Sequence, residues 1–253
     1  MAETNDTIAP EQPAPLPSEQ VKLPARGFTV DRRKAIIAAL VCWIGWGAMV
    51  FLVTHGMTGA VDDWGLHLYR TGPDLQPIGG SLIHEAVRDV TALGGIFLTA
   101  CFTLAAIVAL LFLRLRREAA LFAMTVILGA VLNKVMKWVV GRDRPEIVPH
   151  LTEAGGNSFP SGHSFSSAMI YIGMALAFAS LSRRHSVRYT LVASAMVGSA
   201  MIAWSRVMLG VHFPSDVVAG WLGGAGWAFL AAGLLYRPAK AAASSGAVAH
   251  RGP

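Results

Sequence analysis

Charge is scarce in this chain, and cysteine scarcer. Only 14% of its 253 residues are Asp, Glu, Lys or Arg, against 54% hydrophobic, and mean hydropathy is +0.51. A soluble domain needs more polar surface than that, so the composition points to a bilayer protein. The two cysteines, Cys42 and Cys101, both fall inside apolar runs. They form no ligand spacing and read as small buried hydrophobes, silent on redox compartment. No internal repeat is visible. Carboxylates never cluster in a way that would hold magnesium, so neither a metal nor another cofactor is expected.

Acidic residues are the minority. Net charge is +6 and the pI is near 9.7. In a soluble protein that balance would suggest nucleic acid. Here the basic residues cluster in short loops between apolar runs, so membrane topology explains them and no nucleic acid partner is expected. The first 33 residues also lack the short basic start of a signal peptide. They carry Glu3, Asp6, Glu11 and Glu19, with Pro10, Pro13, Pro15, Pro17 and Pro24. The first apolar run is longer than a signal h-region, so it reads as an uncleaved span.

What is present is a set of six apolar runs, at 35–55, 90–113, 118–140, 164–182, 189–209 and 215–236. Each is long enough, or nearly so, to cross roughly 30 Å of hydrocarbon at about 1.5 Å per residue. The expected architecture is all-α: a six-span transmembrane helical bundle over 34–236. Residues 1–33 form a disordered, Pro-rich tail and 237–253 a flexible Ala/Ser/Gly-rich one. Gly220, Gly223, Gly224 and Gly226 let helices approach closely.

The connection 56–89 is the longest. It holds Asp62, Asp63, Trp64, Tyr69, Arg70 and a break at Thr71-Gly72-Pro73, with a helical pattern from about Ser81. Trp64, Leu66, Leu68 and Tyr69 suit a membrane interface. The segment reads either as an ordinary interfacial loop or as a lid. His84 and Glu85 read as surface residues.

Loop charges set the orientation. One set of helix ends carries Arg32, Arg33, Lys34, Arg114, Arg116, Arg117, Arg183, Arg184, Arg188, Arg237 and Lys240. The other carries Arg70 and Arg88, plus Arg142 beside a polar island. Positive charge marks the cytoplasmic side, so both termini are expected inside a bacterial-type plasma membrane.

Three polar islands then share the outer face. Hydrocarbon tolerates that much charge only where charges face one another or water, so one shared anionic site is expected there. The first island, 137–145, supplies Lys137 as a point charge and Arg144 as a planar fork suited to phosphate oxygens, with Pro145 stiffening the chain. Lys134 shares a helical face with Lys137 and has no assigned role. The second island, 155–163, runs into span 4. Ser161 suits an N-cap, Gly162 admits close ligand approach, and the helix start favours an anion. His163 sits in that first turn, where it can protonate a departing oxygen. The third, 205–216, places Arg206 at the end of span 5 and Pro214 in the first turn of span 6. Asp216 lies four residues after His212, a spacing that can bring its carboxylate to one imidazole nitrogen. An imidazole so held is a nucleophile for phosphorus.

Together the islands read Lys-x6-Arg-Pro, Pro-Ser-Gly-His and Ser-Arg-x5-His-x3-Asp, in that order. In this the chain resembles the type 2 phosphatidic acid phosphatase (PAP2) superfamily, which includes the vanadium haloperoxidases. The resemblance covers roughly residues 35–236. It implies that His212 attacks phosphorus, that Asp216 holds His212, and that His163 is the general acid. Lys137, Arg144, Arg206, Ser161 and the Gly162 amide would bind phosphoryl oxygens, without a metal. It implies a membrane lipid phosphatase acting on undecaprenyl diphosphate, phosphatidic acid, phosphatidylglycerol phosphate or a lipid A 1-phosphate, with membrane lipids as its other partners. A lipid phosphotransferase would carry the same motifs. A non-catalytic lipid-phosphate binding or transport scaffold would need neither nucleophile nor acid. The oligomeric state is open.

Overall fold

A computed structural model describes residues 31–179, 181–182 and 184–235. The two expected tails lie almost wholly outside the described residues, as do Arg183, Arg237 and Lys240 of the charge argument.

Among the described residues the regular structure is helical apart from one two-stranded ribbon. Helix α1 runs Arg32–Thr54, α2 Gly59–His67, α3 Ser81–Ala92, α4 Ile96–Phe112 and α5 Arg116–Val140. After a long loop come α6 (Gly162–Ser167), a π-helical turn (Ala168–Ile172) and α7 (Gly173–Ala179), then α8 (His185–Met208) and α9 (Pro214–Leu235). Strands β1 (Arg70–Thr71) and β2 (Gln76–Pro77) pair antiparallel between α2 and α3. Among the described residues five helices, counting 162–179 as one, are long and apolar enough to cross a membrane, and the α3–α4 pair, bent by 47°, gives a sixth if it is counted as one broken span.

That bend adds detail to the expected second span. The apolar run at 90–113 reads as one span, and Gly94 and Gly95 interrupt it. The break frees the Leu93 carbonyl, and the Tyr171 hydroxyl donates to it at 2.6 Å. Helix α3 therefore leaves the axis of α4, and Thr91 on its last turn and Gly94 in the break lie at the bundle end where the polar islands meet.

The connection 56–89 is more structured than the sequence indicated. Along α2 and its flanks, Met57, Val61, Trp64 and Leu68 are exposed, a stripe at helical spacing suited to an interface. Leu66, expected beside Trp64, is instead fully buried, as is Asp62. Trp204 donates to the Tyr69 hydroxyl at 2.7 Å. Arg70, counted from sequence as a loop charge, is buried and donates to the Met208 carbonyl at the end of α8. His84 is half-buried rather than on the surface.

Packing centres on α9. Its glycines bring neighbouring backbones into contact: a Cβ on Gly224 would collide with the Phe165 carbonyl, and one on Gly220 would lie 2.6 Å from that of Ser161. The start of α6 is thus pressed against α9. The other face of α9 takes Trp43 and Trp46 of α1 against Gly226 and Gly223. Methylene-scale fit of this kind fixes the first turns of α6 and α9 relative to each other.

Candidate functional site

Four helix ends converge at one end of the bundle: the last turn of α5, the first of α6, the last of α8 and the first of α9. Gly141, in the left-handed conformation at φ +63°, ends α5. Lys137 then folds across to the next loop. Its Nζ donates to the Asn157 carbonyl at 2.6 Å, while Asn157 Nδ2 donates back to the Lys137 carbonyl at 2.7 Å. The exchange locks the start of the second island to the end of α5.

Arg144 is more heavily committed than its sequence suggested. Its Nε and Nη2 donate to the Gly156 and Gly155 carbonyls at 3.0 and 2.9 Å. Its Nη1 donates to the Val211 carbonyl at 2.8 Å and lies 3.1 Å from His212 Nε2. The fork therefore binds the second island to the third.

His212 is 2% exposed. Its Nδ1 lies 3.1 Å from Ser158 Oγ and 3.5 Å from Asp216 Oδ2. A guanidinium can only donate, so Nε2 accepts from Arg144 and Nδ1 carries the proton. Ser158 Oγ stands between imidazole and carboxylate, accepting from Nδ1 and donating to Asp216 Oδ2 at 2.5 Å. Burial pushes the His212 imidazole down to about 4, against the opposing hydrogen bond of Asp216. It is therefore neutral at neutral pH, with its Nε2 lone pair on the side of Arg144. Burial likewise lowers the Arg144 guanidinium, opposed by Asp216.

His163 stands in the first turn of α6 against the bend in the second span. A Cβ on Gly94 would lie 3.2 Å from His163 Cδ2. Arg206, His212, Arg144 and Lys137 all act on it electrostatically, so the charges of all three islands meet there. Arg206 is buried and donates from Nη1 to Thr91 Oγ1 at 3.0 Å; its Nε has no protein partner among the described residues. Ser161 occupies the N-cap position of α6, but its hydroxyl makes no cap bond. That hydroxyl is buried and without a protein partner among the described residues. Gly162 is not crowded by the protein: a Cβ there would meet Asn133 Nδ2 at an ordinary 3.5 Å. Lys134 is exposed; Asn133 takes the inward face of that turn.

The eight residues singled out from sequence are thus brought together. Sequence reasoning missed four others: Ser158, Thr91, Arg142 and Asp62. Arg142 donates from Nη1 to Asp216 Oδ1 and Ser215 Oγ, at 2.8 and 2.7 Å, and from Nη2 to Asp62 Oδ2 at 2.8 Å. Asp62 also accepts from the Ser215 amide and hydroxyl at 2.9 and 2.7 Å. Arg142 lies 4.0 Å over the Phe213 ring. Ser158 and Arg142 lay within sight, Ser158 just before the Pro-Ser-Gly-His motif and Arg142 among the unspecified positions of Lys-x6-Arg-Pro; Asp62 and Thr91 carried no signal. Among the described residues no group of three His, Cys, Asp or Glu side chains is placed to hold a metal ion.

An arrangement of this kind offers a held imidazole whose lone pair meets only Arg144, a second imidazole, and several cationic or hydroxyl donors gathered at one end of the bundle. Such a set suits a tetrahedral oxyanion.

Comparison with known proteins agrees. Residues 118–239 match the model of the PAP2 superfamily. The chain is 33% identical over 121 residues to lipid A 1-phosphatase of Rhizobium etli, an alignment covering 44% of this chain and 47% of that protein. It is 38% identical over 94 residues to phosphatidylglycerophosphatase B of Bacillus subtilis, covering 36% and 44%. The matched region thus spans under half the length of either relative. The crystal structure of a transmembrane PAP2 type phosphatidylglycerolphosphate phosphatase from Bacillus subtilis superposes with a TM-score of 0.69, over 76% of this chain and 93% of that one. At 24% identity, that likeness is one of fold. Residues 118–239, the part of the helical core that holds all three islands, are what the chain shares with the PAP2 superfamily.

Proposed function

We propose that the protein is an integral-membrane lipid phosphatase that hydrolyses a lipid phosphate or diphosphate through a phosphohistidine. The observation that carries this reading is the state of His212: buried, neutral, with Nδ1 held through Ser158 and Asp216 and Nε2 bearing the lone pair. A site that only bound phosphate would gain more from a cation there.

In the reaction, Nε2 attacks phosphorus and the bond to the leaving oxygen breaks. Lys137, Arg144, Arg206 and Ser161 Oγ take up charge on the equatorial oxygens. His163 gives its proton to the departing alkoxide or lipid phosphate. Nδ1 keeps its proton, and the positive charge created on the ring is stabilised by Asp216. Water then attacks phosphorus, His163 takes its proton, and the P–N electron pair returns to Nε2. Inorganic phosphate is released.

A lipid substrate is supported by an apolar cavity of about 530 Å³ between α3, α7 and α8, lined by Leu93, Tyr171, Phe178, Leu191 and Ile202 among others. Its Leu93 and Ile202 end abuts Gly94, beside His163. An acyl or prenyl chain there would leave its head group at the polar islands. The relatives' names set the panel: lipid A 1-phosphate, phosphatidylglycerol phosphate and undecaprenyl diphosphate, with phosphatidic acid added. The basic inner loops support a site on the outer face, with both termini inside.

The test is phosphate release from that panel by purified protein in detergent with EDTA. Activity is expected without added metal, with acid-labile phosphate trapped on the wild type and not on His212→Ala. Full activity in His212→Ala, or none until magnesium is supplied, would overturn the proposal.

A further inference from the structure

We infer that Asp62, on the interfacial helix α2, is a positioning residue for His212, acting through Arg142 and Asp216. The inference rests on the phosphohistidine reading above and extends it to a residue outside the three islands.

Arg142 poses a problem that Asp62 solves. It donates to Asp216 Oδ1 at 2.8 Å, in a place where Asp216 has no exposure at all. An arginine so close to a buried carboxylate would by itself cancel most of its charge. Asp216 would then hold the imidazole N–H weakly and do little for the positive ring formed when Nε2 bonds to phosphorus. The second guanidinium nitrogen, however, meets Asp62 Oδ2 at the same 2.8 Å, and Asp62 is only 1% exposed. Two carboxylates share one guanidinium, so one negative charge is left over. It lies on the Nδ1 side of His212, where the developing cation needs it.

The geometry ties Asp62 to the His212–Asp216 turn. Its Oδ1 accepts from the Ser215 amide at 2.9 Å and its Oδ2 from the Ser215 hydroxyl at 2.7 Å. Asp62 therefore caps the turn that carries His212 and Asp216, as well as balancing charge. The groups facing His212 are Asp216 from α9, Arg144 from the loop, Lys137 from α5 and His163 from α6, with Ser158 between. Only Asp216 among them is anionic, so its effective charge decides the field on the ring.

A purely structural cap and a charge-balancing one predict different things. The test uses the full chain and phosphatidic acid in detergent micelles, with kcat, KM and the acid limb of kcat/KM measured for three variants. Asp62→Asn keeps an acceptor for Ser215 but removes the balancing charge. It should lower kcat about tenfold, less than loss of a group touching the reacting atoms, leave KM nearly unchanged, and move the acid limb down by up to about one unit. Arg142→Gln should move the limb up. The double variant should recover most of the kcat that Asp62→Asn loses, because charge balance returns. Limbs that stay put in both single variants, or a double variant that loses the product of the two single losses, would overturn the inference. Should Asp62→Asn not fold, the upward shift in Arg142→Gln decides alone. His212→Ala separates the two claims: activity there sinks the phosphohistidine, whereas an inactive His212→Ala with unmoved limbs sinks Asp62 only.

Discussion

The Arg144 guanidinium lies 3.1 Å from His212 Nε2, on the lone pair proposed to attack phosphorus. The same guanidinium reaches the Gly155, Gly156 and Val211 carbonyls. It therefore covers the lone pair, and a phosphoryl group must draw it aside. Three of its contacts are to carbonyl oxygens, which a phosphate dianion outbids. Arg144→Lys keeps the charge and loses the fork. It is expected to lower kcat/KM about 100-fold, a loss typical of one oriented donor. Steady-state phosphate release checks this, and a loss within threefold would show the fork to be dispensable.

The pH dependence has a defined sign. His212 falls to about 4 in the folded chain, below the roughly 6.5 of an unfolded one. In the window between these values the unfolded state binds the extra proton, so stability falls as pH drops from about 6.5 towards 4. Activity needs neutral His212, so kcat/KM of the free enzyme should stay level through that window and fall only near pH 4. Melting temperature and kcat/KM across acid pH should therefore separate. An acid limb at about 6.5 would contradict the burial of His212.

Gly94 offers a steric test. A methyl group there would collide with Ile202 and press on His163 at 3.2 Å. Gly94→Ala should cost about 1–3 kcal/mol of stability, as overpacking does. Adding Ile202→Ala should restore that stability while leaving kcat depressed, since His163 is still displaced. Recovery of both together would mean that Gly94 matters only for packing.

Orientation can be read by labelling. In a background lacking Cys42 and Cys101, a cysteine at exposed Glu153 should react with an impermeant maleimide on intact cells. One at exposed Ser186 should react only after lysis. The reverse pattern would invert the proposed topology.

Much of this was legible in the sequence because membranes constrain it so strongly. Apolar runs had to be spans, and charges at their ends had to share a polar site, so Lys137, His163, Arg206 and His212 could be grouped without coordinates. The bend at Gly94-Gly95 escaped because hydropathy averages over it. Asp62 escaped for a different reason. It lies 153 residues before Ser215, the residue it caps, and an acidic residue on an interfacial loop reads as solvated. Ser158 was in view but indistinct: no spacing rule announces that a serine will stand between a histidine and an aspartate.

The family match begins at residue 118. Thr91, which anchors Arg206, Gly94, which abuts His163, and Asp62, which meets Arg142, all precede that boundary. The matched region therefore does not contain every residue that its own charged side chains touch. A protein cut at 118 would keep every signature residue and still leave the guanidiniums of Arg206 and Arg142 each short of a partner. Grafts that exchange this domain between relatives will need to carry α2 and α3 along with it.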